Sequence, residues 1–132
     1  AVAECARRYD YVLVEGAGGL CVPLTENELE ADFAAKERWP LILVSCPRLG
    51  SLNHTLLSLE AAHARGLKIA GGVYNYFKGA DPEIEADTAK MILKALKKAG
   101  DPEILIRTPR VTDAANVPAV DFSAIFSGSQ AC

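Results

Sequence analysis

The sequence predicts an α/β fold: a mainly parallel sheet covered by helices on both faces, in three layers. Three observations carry that expectation. Short apolar runs (Tyr11–Val14, Leu41–Val44, Lys68–Tyr74, Ile104–Ile106) alternate with longer stretches whose apolar residues recur at helical spacing. The runs are close to continuously apolar, as strands buried on both faces require. Proline and glycine mark the joints, with Pro40 before one run and Gly66 and Gly100 after two helical stretches.

Taken in order, Val2–Tyr9 reads as the end of a helix begun upstream, and Tyr11–Val14 as a strand. Leu29–Arg38 reads as a short helix carrying Ala31, Phe33, Ala34 and Ala35. Leu41–Val44 is an apolar strand. The helix Ser51–Arg65 places Leu52, Leu56, Leu59 and Ala62 on one side and stops at Gly66. In the strand Lys68–Tyr74, the Gly71-Gly72 pair implies close backbone packing or a bulge. Pro82 suits the first turn of a helix running to Ala99, with Ile84, Thr88, Met91, Ile92, Ala95 and Leu96 as its buried stripe and Gly100 as its end. Ile104–Ile106 is a last short strand before Pro109. In the tail, Asp113–Cys132, Val120–Ile125 reads as one amphipathic turn or two. With no internal repeat and no linker, residues 1–132 are expected to form one α/β domain.

Composition narrows the function. Half of the 132 residues are hydrophobic and 23% are charged, enough apolar surface for a core and too much for wholesale disorder. The net charge of -3, without a basic stripe, gives no reason to expect nucleic acid; Lys94, Lys97 and Lys98 read as one solvated helix face. Cys5, Cys21, Cys46 and Cys132 form no Cys-x-x-Cys pair. Four cysteines permit two disulfides in an oxidising compartment, but no secretory signal is seen, so thiols in a reducing cytoplasm are expected. No apolar run approaches the length of a membrane span.

Three segments carry chemistry. In Tyr11–Gly19 a strand pattern runs into Glu15 and then a Gly-Ala-Gly-Gly turn. Ligands of open α/β sheets bind beyond the carboxyl ends of strands, and glycines let a backbone approach an anion closely. A carboxylate there suits Mg²⁺, which takes few protein oxygens and completes its shell with phosphate and water. The plainer reading is a polar strand end before a tight turn. In Ser45–Leu57, a Gly-Ser step opens a helix after a parallel strand, which leaves backbone N–H groups free for an anion, with Arg48 beside them. Ser51 is open to a second reading as an ordinary N-cap, and His54 reads as a packed helix residue. In Gly72–Tyr76, Asn75 ends a strand on the same sheet edge as Glu15; its side-by-side donor and acceptor match the N6/N7 edge of adenine, although turn-forming Asn is common there.

Together, VEGAGGLCVPL (Val14–Leu24), PLILVSCPRLGSLNHTLL (Pro40–Leu57) and GLKIAGGVYNY (Gly66–Tyr76) closely resemble the dethiobiotin synthetase family, of the P-loop NTPase-like α/β superfamily. The resemblance implies biotin biosynthesis: Mg-ATP-dependent carboxylation of 7,8-diaminononanoate with CO2 or bicarbonate, then closure of the ureido ring. It implies Glu15 as a Mg²⁺ ligand and Glu15, Gly16, Ala17 and Gly18 beside the nucleotide phosphates. Asn75, Tyr76, Pro109, Arg110 and Val111 would border the base. Arg48, Leu49, Gly50, Ser51, Leu52 and Asn53 would hold the substrate carboxylate, across a homodimer interface.

The sequence also departs from that family. No Gly-x-x-x-x-Gly-Lys-Ser/Thr segment occurs in it. The resemblance therefore implies the C-terminal part of a P-loop domain, in a truncated chain or in half of a split enzyme with a separate P-loop-bearing half, and inactive alone. Tyr76 stands where relatives commonly carry Asp, and the acidic residue expected after the Pro109 segment is absent. The rival expectation is a non-catalytic binding or assembly module that keeps the fold and has lost the P-loop.

Overall fold

The computed structural model describes residues 2–113 and 115–127, so Cys132 and the end of the tail lie outside the described residues. The first element is a single helical turn, α1 (Val2–Cys5), shorter than the helix expected to Tyr9; residues 6–8 form turns. Tyr11–Val14 is not a strand. A strand needs a partner for its N–H and C=O groups, and no described strand pairs with this segment. Leu13 is 74% exposed, and Tyr11 instead packs edge-on against Phe126, ring centroids 5.1 Å apart.

A small antiparallel pair follows, β1 (Pro23–Thr25) with β2 (Glu28–Leu29), which the sequence did not announce. It leads into α2 (Glu30–Glu37), where Leu29 occupies the N-cap and the Asp32 carboxylate accepts the Leu29 N–H at 3.0 Å. Ala31 and Ala34 are the residues that α2 buries, because small side chains let the helix sit close to the core.

The main sheet is parallel, in the order β3 (Leu41–Ser45), β4 (Ile69–Tyr74), β5 (Leu105–Arg107). Parallel neighbours require crossovers, supplied by α3 (Ser51–His63) and α4 (Pro82–Ala99). Both helices bury an inner row against each other and Tyr74: Leu59 and Ala62 from α3, Ala89, Ile92 and Leu96 from α4. The α4 stripe is thus rotated from the expected one. Ile84 and Met91 are 63% and 48% exposed, and Ala89 takes the inner position. Asp81 caps α4 by accepting the Glu83 and Ile84 N–H groups at 2.8 and 3.2 Å, with Pro82 following; Gly100 closes it in the left-handed conformation (φ 82°).

The short helix α5 (Ser123–Phe126) lies on the opposite sheet face. A Cβ at Gly71 would stand 3.1 Å from Ile125 and 3.2 Å from Ile104, whereas Tyr74, pointing the other way, donates its hydroxyl to Glu85 of α4 at 3.3 Å. Gly71 thus meets both expectations, close packing and a bulge, because the register against β3 also shifts between Leu41 and Ile42. The α/β class read from the sequence is the observed one. Its cover is incomplete on one face: Val44, expected inside a covered strand, is 68% exposed.

Candidate functional site

At the carboxyl ends of β3 and β4 lies a cleft of about 440 Å³. Its wall brings together four residues singled out in the sequence, namely Gly18, Arg48, Ser51 and Asn75. Residues Glu15 to Ala17, Leu49, Gly50, Leu52, Asn53, Tyr76 and Pro109 to Val111 do not line it. The wall also includes His54, which was expected to be packed and is exposed instead, since its helix position faces the cleft and not the sheet.

The turn from β3 into α3 is held from beneath by hydroxyls. Ser45, Ser51 and Thr55 are 6–7% exposed. Thr55 donates to the Ser51 carbonyl at 2.8 Å, which leaves its oxygen to accept from Ser45 at 2.7 Å. Ser45 then accepts from Ser51 at 3.1 Å, and Ser51 Oγ accepts the Cys46 N–H at 3.4 Å. Ser51 is therefore neither the N-cap nor a free hydroxyl. Gly50 occupies the N-cap with φ 83°, and the Ser51 side chain points into the fold. The Ser51 N–H is also engaged, by the Arg48 carbonyl at 2.9 Å, so it is not open to an anion. Among the described residues, no protein acceptor meets the N–H groups of Gly50, Leu52 and Asn53, and none of the described carboxylates pairs with the exposed Arg48. What remains is a helix N-terminus with free donors and a cation beside it, an arrangement suited to a carboxylate or phosphate.

Asn75 follows β4 directly; its backbone N–H donates to Ser45 at 2.7 Å, tying it to the end of β3. Its side-chain oxygen accepts from Thr108 at 2.6 Å. Thr108 was not singled out in the sequence: a Thr before Pro109 carries no more signal than a loop residue.

Glu15 lies in an exposed segment without regular secondary structure rather than at the end of a sheet strand, so it does not share a sheet edge with Asn75. Its carboxylate has no protein partner among the described residues, and no group of three His, Cys, Asp or Glu side chains forms there. One free carboxylate is a donor set that fits Mg²⁺, which keeps several non-protein oxygens, and does not fit a closed metal cage. The glycine turn is close to another carboxylate: Glu30 accepts the Ala17 N–H at 2.7 Å and fills the space a Gly16 side chain would need.

Comparison with known proteins places this geometry in a family. The AAA domain family profile matches residues 1–119. The chain belongs to that family. It is similar to the ATP-dependent dethiobiotin synthetase BioD of Chlorobaculum tepidum, 52% identical over 92 residues, 70% of this chain and 38% of that protein. It is likewise similar to BioD 2 of Pasteurella multocida, 42% identical over 73% of this chain and 45% of the relative. BioD of Anoxybacillus flavithermus is 45% identical over 69% of this chain and 41% of its own length. The resemblance read from the three motifs is borne out, and the chain spans about two fifths of the length of the relatives it matches. No helix among the described residues is long and apolar enough to cross a membrane.

Proposed function

We propose that these residues form part of a dethiobiotin synthetase site: ATP-dependent carboxylation of 7,8-diaminononanoate and closure of the ureido ring, in biotin biosynthesis. The observation that carries this reading is the single cleft in which Gly18, Arg48, Ser51 and Asn75, drawn from three separate motifs, meet at the strand ends. Arg48 and the free N–H groups of Gly50, Leu52 and Asn53 bind the substrate carboxylate and orient the diamine. Asn75 reads the nucleotide base, with Tyr76 and Pro109 to Val111 beside it. Residues Glu15 to Gly18 border the phosphates. Glu15 would hold Mg²⁺, which when bound neutralises charge on the transferring phosphoryl group.

Phosphoryl transfer relies on a nest of N–H groups and a lysine as well as a metal, and the 132 residues hold no Gly-x-x-x-x-Gly-Lys-Ser/Thr segment. In this reading the phosphate cradle comes from outside them, and the 132 residues alone do not turn over. The protein acts in the cytoplasm, as a homodimer. The test is dethiobiotin formation from ATP, bicarbonate and 7,8-diaminononanoate by the protein with its phosphate cradle present. Glu15→Gln should keep the fold and lower Mg²⁺-dependent turnover by orders of magnitude, since losing even an outer-shell partner of a metal costs about 10–100-fold. Unchanged turnover at saturating Mg²⁺ removes Glu15 from the site.

A further inference from the structure

Asn75 stands where β4 gives way to the cleft, and its neighbours decide which way its amide faces. Thr108 Oγ1 lies 3.2 Å from the Tyr76 backbone nitrogen and 2.6 Å from Asn75 Oδ1. A backbone N–H can only donate, so Thr108 accepts there and keeps its own proton for the second contact. That second contact is too short for an amide donor: N–H···O bonds centre near about 2.9–3.0 Å, O–H···O bonds near about 2.7–2.8 Å. Distance therefore places the Asn75 carbonyl oxygen, and not its NH₂, against the hydroxyl. Thr108 itself is fixed, because its N–H donates to Tyr74 at the end of β4 at 3.0 Å. The relay runs from the Tyr76 N–H through the Thr108 hydroxyl to the Asn75 oxygen, and it leaves the Asn75 NH₂ without a protein acceptor among the described residues, on the cleft wall.

We propose that Thr108 is the positioning residue of the base site: its hydroxyl holds the Asn75 amide in one orientation, with the NH₂ offered to the ligand. The cleft then takes a base that presents a ring-nitrogen acceptor to that NH₂ and an exocyclic amine to the second lone pair of the Asn75 oxygen. A pyrimidine carbonyl or guanine O6 at the latter point meets an oxygen and is disfavoured. This rests on the reading of the cleft as a nucleotide site. A threonine that merely shaped the turn before Pro109 would need neither its hydroxyl proton nor so short a contact.

The test uses the protein with its phosphate cradle present, as wild type, Thr108→Val, which keeps the shape, and Thr108→Ser, which keeps the hydroxyl. The first readout needs no ligand: the mobility of the Asn75 side-chain NH₂ by ¹⁵N relaxation. The second is equilibrium binding of ATP and of 7-deaza-ATP, which lacks the ring acceptor. The amide is expected to be ordered in wild type and Thr108→Ser and mobile in Thr108→Val. Thr108→Val should weaken ATP binding by roughly three- to tenfold, as loss of one hydrogen bond does, and narrow the gap between ATP and 7-deaza-ATP. Thr108→Ser should stay close to wild type in both. An amide equally mobile in all three proteins, or Thr108→Ser behaving as Thr108→Val, overturns the proposal. An ordered amide in a protein that binds no ATP overturns the nucleotide reading beneath it and leaves the relay standing.

Discussion

The Thr55 hydroxyl lies 2.7 Å from the Ser45 hydroxyl, and both are buried. This contact joins the last residue of β3 to the second turn of α3 and so fixes the turn between them, on which the free N–H groups at the start of α3 depend. Because Thr55 donates onward to the Ser51 carbonyl, Ser45 must donate to Thr55, and a valine in its place strands that proton. Thr55→Val should cost about 1–3 kcal/mol, the penalty of an unsatisfied buried donor. Thr55→Ser should cost clearly less. Urea unfolding of the two variants checks this, and equal losses would assign the effect to the methyl group.

Gly50 separates strain from crowding. Its φ is 83°, and a Cβ there would meet nothing closer than His54 Cε1 at 3.9 Å. There is room for a side chain but not for its conformation. Gly50→Val should therefore destabilise the turn by about 1–3 kcal/mol, and Gly50→Asn by less, since Asn tolerates the left-handed region. Thermal unfolding of the pair is the measurement; a ranking by size alone would point to crowding instead.

Gly71 and Gly72 should respond unequally although they are neighbours. At Gly72 a Cβ would stand 2.8 Å from Leu105 Cδ1, the movable end of a side chain. At Gly71 it would press on Ile104 Cβ at 3.2 Å and on Ile125 at 3.1 Å, with φ at 155°. Gly71→Ala is expected to be the more damaging, by about 1–3 kcal/mol of overpacking and strain. Comparable unfolding midpoints for the two alanine variants would contradict the close approach of α5.

How much of this was legible in the sequence depends on whether a signal is local. The strands β3, β4 and β5 were, because an uninterrupted apolar run between glycines and prolines describes a buried strand by itself. Tyr11–Val14 carries the same signature and is exposed, since a strand exists only where another strand offers a ladder, and that is not written in the run. In α4 the apolar residues wrap far enough around the helix to support two stripes, and packing chose the one through Ala89. At the site, Glu15, Arg48 and Asn75 are conspicuous residue types next to turns. Thr108, Ser45 and Thr55 act through partners up to 33 residues away, and nothing in their own neighbourhood marks them.

Asp32 makes stability depend on acid. The Arg65 guanidinium, donating to its carboxylate at 2.6 Å, and the Leu29 N–H hold its pKa below the ordinary carboxylate value. A group whose folded pKa is depressed stabilises the fold above its unfolded pKa, and that contribution fades as pH falls through the folded one. Wild type should thus lose stability below about pH 4, the ordinary Asp range, and part of that slope belongs to Asp32. Asp32→Asn should be less stable at neutral pH and show a shallower acid limb. An unchanged limb in a pH series of urea melts would mean the pair contributes nothing to folding.

Arg48 and the amides beside it make the sharpest claim about the ligand. Arg48 is exposed and unpaired among the described residues, so a contact it made with a ligand carboxylate would be screened by water and contribute about 1 kcal/mol or less. Arg48→Ala should then weaken binding of 7,8-diaminononanoate by roughly fivefold, leaving the unfolding transition in place. The same substitution should have no effect on binding of the diamine that lacks the carboxylate, because the lost contact is to that group alone. His54→Ala, on the same wall but at no free N–H group or cation, should matter less than Arg48→Ala. Calorimetric titration of both ligands into wild type and the two variants decides the matter. If the acid and the diamine bind equally well to wild type, the free N–H groups at the start of α3 are a helix end and not a carboxylate site.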